Sequence, residues 1–139
     1  LAQKVRDMID TGTGSVLIVE GESTVRSLLV EAMAASGLRI EEAGTGGEAL
    51  GKVRAAQGRY DAIVLDDELP DYTGDSLLRE LRALYSDLPI VIASAARAAK
   101  LNRQFADDRC VAVIAKPYKA GALQDTLRLL GVACLDAEK

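Results

Sequence analysis

Short apolar runs ending in acidic or polar residues alternate along this chain with stretches of helical spacing, and that alternation constrains the fold more than any other feature. The runs are Ser15–Val19, Arg39–Ala43, 60–65, 89–93 and Val111–Ala115. Their length and their Val/Ile content favour buried strands over helices. Between them, Val25, Leu28, Leu29, Ala32 and Met33 fall on one helical face, and Leu77, Leu78, Leu81 and Leu84 on another. Strands separated by single helices must run parallel, with right-handed crossovers that place helices on both sheet faces. The predicted class is therefore α/β: a doubly wound, five-stranded parallel sheet in a three-layer sandwich. Ligands of such open sheets bind beyond the carboxyl ends of the strands, where the winding reverses.

Helix punctuation agrees with this reading. Thr45-Gly46-Gly47-Glu48 has capping-box form ahead of a helix at 49–56. Ser23 or Thr24 can cap the first helix, and Gly37, Gly58 and Gly131 stand where C-terminal caps are expected. The segment 96–106 has helical composition but little apolar surface to hold it. Residues 1–14 stand apart: Leu1, Val5, Met8 and Ile9 have helical spacing, then Thr11-Gly12-Thr13-Gly14 breaks it. This divides the chain into a linker or leader helix at 1–14, one domain at 15–132 and a tail at 133–139.

Composition removes several classes of chemistry. With 139 residues the chain has the size of one ordinary domain. It holds no histidine, which excludes His-based acid–base catalysis, Ser–His and Cys–His nucleophile pairs and nearly every zinc site. Two cysteines, Cys110 and Cys134, read as reduced thiols of a cytosolic protein. No apolar run approaches the roughly 20 residues that span a bilayer, and no basic-then-apolar order suggests a signal peptide. The expectation is a cytoplasmic domain without membrane contact. A net charge of -4, with Lys and Arg scattered, leaves no basic stripe for nucleic acid.

Chemistry is expected at the strand ends. The first strand gives Glu20-Gly21-Glu22 and the third Asp66-Asp67-Glu68; the fourth ends at Ser94 and the fifth at Lys116-Pro117. Clustered carboxylates repel one another and attract a hard divalent cation, and Mg²⁺ prefers such oxygen ligands. A lysine at the same rim supplies a point charge for an anion, with phosphate the natural candidate. Each acid alone is an ordinary solvated loop residue; one group per strand end, in this order, is much harder to obtain by chance.

These elements resemble the receiver domains of response regulators in two-component signalling, a flavodoxin-like (βα)5 family. Val16-Leu17-Ile18-Val19-Glu20-Gly21-Glu22 is similar to the family's opening strand and acidic cluster. Ile63-Val64-Leu65-Asp66-Asp67-Glu68-Leu69-Pro70, with Gly74 beyond, is similar to the phosphoacceptor strand and its loop. Ala93-Ser94-Ala95 matches the Ser/Thr-Ala element, and Ala115-Lys116-Pro117-Tyr118 the Lys-Pro-aromatic one. The resemblance implies that Asp66 accepts a phosphoryl group from a phosphohistidine, with Ser94 and Lys116 contacting its oxygens. It implies Mg²⁺ held by Glu20, by Asp66 and by the backbone carbonyl of Glu68, and a cis bond before Pro117. Asp67 reads as a flanking surface acid. The implied partner is a histidine kinase or histidine phosphotransfer protein, and a homodimer is compatible. The domain itself is then a phosphoacceptor rather than a turnover enzyme.

Two positions depart from the family pattern. Gly21 stands where the family's second adjacent carboxylate contacts Mg²⁺, which should weaken metal binding by at least about 10–100-fold. Val113 stands where an aromatic residue often swings inward on activation. These departures support a rival reading, a pseudo-receiver that binds a protein or ligand without phosphorylation. A small enzyme on the same sheet is disfavoured, since no Ser/Thr/Gly-rich phosphate loop follows the first strand. The linker-like 1–14 segment, and a chain that ends shortly after the last helix, suggest the C-terminal receiver of a hybrid sensor histidine kinase, with a stand-alone single-domain regulator nearly as compatible.

Overall fold

The computed structural model describes residues 14–137. Apart from Gly14, the leader read from residues 1–14 lies outside the described residues. Strands β1 (Ser15–Val19), β2 (Arg39–Ala43), β3 (Ala62–Asp66), β4 (Ile90–Ser94) and β5 (Val111–Ala115) alternate with helices α1 (Ser23–Ala34), α2 (Gly46–Ala55), α3 (Gly74–Leu84), α4 (Ala98–Gln104) and α5 (Ala120–Ala137). The strands form one parallel sheet in the order β2-β1-β3-β4-β5. The winding reverses at β1, whose neighbours are β2 on one side and β3 on the other, so a crevice opens between the ends of β1 and β3.

Period-two alternation along each strand feeds two separate cores. Val16, Ile18, Val64 and Val91 face α1 and α5, meeting Met33, Leu123, Leu127 and Leu130. Leu17, Val19, Ile63, Leu65 and Ile92 face the other way, toward Val53 of α2, Leu77, Leu78 and Leu81 of α3, and Leu101 of α4. Both faces of β1, β3 and β4 are thus apolar, as burial on two sides requires. The doubly wound three-layer class expected from the sequence is the one observed.

Local details refine the reading. Thr45 caps α2 by accepting from the Glu48 amide at 3.0 Å. Gly37 and Gly58 adopt positive φ of 89° and 72° just beyond α1 and α2, a conformation glycine takes without steric cost. Neither Ser23 nor Thr24 is the N-cap of α1; Glu22 holds that place in extended conformation without a side-chain cap bond. Gly131 lies inside α5 rather than past its end, because Leu127, Leu130 and Cys134 continue the apolar stripe across it. The face expected to bury all of α1 is only partly covered, with Val25 40% and Leu28 64% exposed. Leu84 at the end of α3 is 46% exposed in the same way.

The cysteines are not two free thiols. Cys110, ahead of β5, and Cys134, in α5, are joined in a disulfide across 24 residues. The two elements pack on one face of the sheet and bring the Cα atoms to 4.8 Å, within the range a disulfide needs.

Candidate functional site

The hydrogen-bond ladder extends one step past the strands and pins the residues of the rim. Glu20 N donates to Ala43 O at 3.0 Å, Asp67 N to Ala93 O at 2.8 Å, and Lys116 N to Ser94 O at 2.9 Å. Gly74 N donates to Asp67 O at 2.8 Å, closing the loop after β3 onto the strand end. A Cβ at Gly74 would lie 2.8 Å from Asp67 Cα and 2.5 Å from Ile92 Cδ1, so this approach requires glycine.

At the switch point, two carboxylates converge on one ammonium. Lys116 Nζ lies 2.7 Å from Asp66 Oδ1 and 3.4 Å from Glu20 Oε2. Asp66 and Glu20 are both buried, at 7% and 5% exposure. The peptide before Pro117 is cis. Burial, followed by the Asp66 charge, raises the Glu20 carboxyl above its ordinary value despite Lys116. Burial works against the Lys116 charge, but the bond to Asp66 and the charges of Asp66 and Glu20 outweigh it and raise that group as well. A crevice of about 370 Å³ opens here, bounded by Glu20, Gly21, Asp66, Glu68, Pro70 and Lys116. A hollow of about 580 Å³ adjoins it and shares Val25 and Lys116; Leu28, Leu29, Pro117 and Tyr118 give it an apolar floor. A wider hollow near Ser86, Asp108 and Arg109 lies by the opposite ends of β4 and β5, away from this rim.

Not all the expected residues meet here. Glu20, Asp66 and Lys116 come together, and Glu68 lies on the rim with its side chain in solvent. Ser94 is buried, but its hydroxyl donates to Asp67 Oδ2 at 3.0 Å and accepts from the Arg97 amide at 2.9 Å. Asp67 is therefore no surface acid: it is 5% exposed and forms the centre of a second cluster. Arg97 grips both of its carboxylate oxygens, through Nε at 2.9 Å and through Nη2, and reaches Asp75 Oδ1 at 3.0 Å. The bond from Arg97, working against burial, holds the Asp67 carboxyl below the usual range, and Ser94 adds to it. Asp75, despite its own burial, is likewise held low by Thr73, Arg97 and Gln104.

Sequence reasoning missed Arg97 and Asp75 and misjudged Asp67, although a signal was present. Consecutive residues of a strand point to opposite faces, so Asp66-Asp67 at a buried strand end sends one acid to each side. A buried carboxylate needs a cationic partner, and Arg97 follows the neighbouring strand.

The donor set suits one kind of cation. Among the described residues no cage of three or more acidic, cysteine or histidine side chains forms. Mg²⁺, however, is commonly held by one or two carboxylates together with water and phosphate oxygens. Glu20 and Asp66 provide that pair, oxygen only, already turned toward a positive charge. Gly21 adds no ligand, and a Cβ there would sit 3.2 Å from Pro70 Cδ.

Comparison with known proteins agrees with the fold. The family model for the response regulator receiver domain matches residues 16–128. The sensor kinase CckA of Brucella abortus is 31% identical over 126 residues, covering 91% of this chain and 13% of that protein. The KDP operon transcriptional regulatory protein KdpE of Escherichia coli is 35% identical over 115 residues, covering 83% of this chain and 50% of that one. This chain thus spans half or less of these curated relatives. Among solved structures, the receiver domain of the hybrid histidine kinase CckA superposes with a TM-score of 0.69 at 26% identity, covering 84% of this chain and 98% of that one. A receiver domain from Clostridium thermocellum reaches a TM-score of 0.76 at 17% identity, a likeness of fold, covering 90% and 97%. Proteins of this family typically bind Mg²⁺ and work with histidine kinases. From the matched model, the sheet order and these relatives, the chain belongs to the response regulator receiver domain family of two-component signalling.

Proposed function

We propose that this domain accepts a phosphoryl group on Asp66 from a phosphohistidine of a histidine kinase or histidine phosphotransfer protein. The observation that carries the reading is the Asp66–Lys116 contact of 2.7 Å at the switch point, with Glu20 on the same ammonium. An Asp66 oxygen attacks phosphorus as the phosphorus–nitrogen bond breaks; its electron pair returns to the imidazole nitrogen, which takes up a proton. Lys116 then exchanges its carboxylate partner for a phosphoryl oxygen. Glu20, Asp66 and the backbone carbonyl of Glu68 would hold Mg²⁺, which when bound offsets charge on the transferring group.

The apolar floor beside the crevice supports a protein donor. Val25 lines the acidic crevice and Leu28, 64% exposed, lies in the hollow beside it, so a partner helix covering both would bring its histidine toward Asp66. The expected setting is cytoplasmic, and among the described residues no helix is long and apolar enough to cross a membrane. The CckA likeness supports placement in a hybrid kinase. A second reading, a phosphorylation-independent binding module, draws on Gly21, which supplies no carboxylate, and on Ser94, which is already engaged by Asp67.

Titration with beryllofluoride and Mg²⁺, followed by NMR, tests the proposal. Shifts centred on Asp66, Lys116 and Glu20 in the native protein, absent in Asp66→Asn, are expected. No response in the native protein at saturating Mg²⁺ would favour the binding module.

A further inference from the structure

The two charged clusters share the end of β3, one residue apart, and Ser94, which ends the neighbouring β4, is bonded into the second of them. Asp66 pairs with Lys116 on one side of the strand end, while Asp67 pairs with Arg97 on the other. The Ser94 hydroxyl has one proton to donate, and Asp67 Oδ2 takes it at 3.0 Å. Arg97 fastens the acceptor from two nitrogens and is itself tied to Asp75 in α3. The hydroxyl oxygen also accepts from the Arg97 amide at 2.9 Å, so both ends of this bond are held by one residue. Gly74 N donates to Asp67 O at 2.8 Å, which holds the start of α3 close against Asp67.

We propose that Asp67 is a positioning residue that keeps the Ser94 hydroxyl away from Asp66, with Arg97 and Asp75 locking it there. The inference rests on Asp66 being the phosphoacceptor. A phosphoryl group on Asp66 must then win the Ser94 proton from a carboxylate, and the affinity of the site for that group is lowered by the competition. A hydrogen bond to a charged acceptor is roughly twice as strong as a neutral one, so the handicap is large enough to measure. Through Arg97 the lock also ties the loop after β4 to Asp75 at the start of α3.

Apparent dissociation constants for beryllofluoride with Mg²⁺, measured by NMR on a two-by-two set of variants, test it. Asp67→Leu, similar in branching but unable to accept a proton, should bind about tenfold tighter than the native protein. Ser94→Ala in the native background should weaken binding, but by a smaller factor than on top of Asp67→Leu, since in the native protein the Ser94 bond is gained only against Asp67. The same change on top of Asp67→Leu should erase the gain. Asp67→Asn keeps the shape and an uncharged acceptor; it should fall between, and it serves if the leucine variant does not fold. Equal affinities for the native and both Asp67 variants overturn the proposal while leaving Asp66 as acceptor. A gain that survives Ser94→Ala overturns it too, since removal of a nearby negative charge would then explain everything. Absence of Asp66-dependent binding in every variant defeats this inference and the phosphoacceptor reading together.

Discussion

Lys116 Nζ sits 2.7 Å from Asp66 Oδ1, while Arg97, three residues beyond β4, holds the adjacent Asp67 from the other side. One peptide unit therefore separates an acid facing an open crevice from an acid closed into a lock. Strand geometry enforces the division, because successive side chains point to opposite faces. The first acid is exposed to reaction; the second fixes the loop that frames it.

Magnesium affinity should rise when the missing carboxylate is restored. Gly21→Asp adds an acid beside Glu20 and Asp66, and isothermal titration should show about 10-fold or more tighter Mg²⁺ binding. The new Cβ meets Pro70 Cδ at 3.2 Å, so the loop must yield by a few tenths of an ångström and stability should fall slightly. Equal affinities for the two proteins would show that position 21 is not missed as a ligand.

Glu20 makes the metal-free protein less stable as pH rises. Its carboxyl is raised above the ordinary value of 4.5, first by burial and then by Asp66. Between the ordinary and the raised value the folded state binds more protons than the unfolded one, so unfolding free energy falls with rising pH across that window. Glu20→Gln should remove that component of the pH dependence and, without Mg²⁺, melt no lower than the native protein at pH 7. Melting curves from pH 4 to 8 for both proteins check this. An unchanged profile in the variant would mean that Glu20 is not the group responsible.

Arg97→Ala should cost about 2–3 kcal/mol, below the usual range for breaking a buried pair. The discount reflects the 30% exposure of the Arg97 side chain, against 5% for Asp67. Because Asp67 is held below its ordinary 3.8, chiefly by Arg97, its contribution is present above that value and is lost as pH falls. The gap between native and variant in urea melts should be full at pH 7 and shrink in acid. A variant as stable as the native protein at pH 7 would contradict the lock.

Much of this is legible in the sequence. The Val/Ile runs locate all five strands, but those at 60–65 and 89–93 begin ahead of Ala62 and Ile90 and end one residue early, because Asp66 and Ser94 complete β3 and β4 though polar. The end of a parallel strand is where the ladder still holds while the side chain turns to function. Glycine at 131 carries the signal of a helix stop, yet in α5 packing of Leu127, Leu130 and Cys134 outweighs a preference of about 1 kcal/mol. The exposed Val25 and Leu28 carry the same spacing as a buried stripe, and no pattern in the sequence separates a core face from a docking face. The Asp67–Arg97 lock escaped for a different reason: Arg97 lies 30 residues from its partner, and only the β3–β4 pairing brings them together.

The central claim is that Asp66 accepts the phosphoryl group, and transfer of radiolabel tests it most directly. The native protein and Asp66→Asn are each incubated with Mg²⁺ and a phosphorylated histidine kinase domain, or with a small phosphodonor. The account predicts alkali-labile label on the native protein and none on Asp66→Asn, with both folded. A native protein that stays unlabelled with every donor, or label that persists in Asp66→Asn, would contradict it.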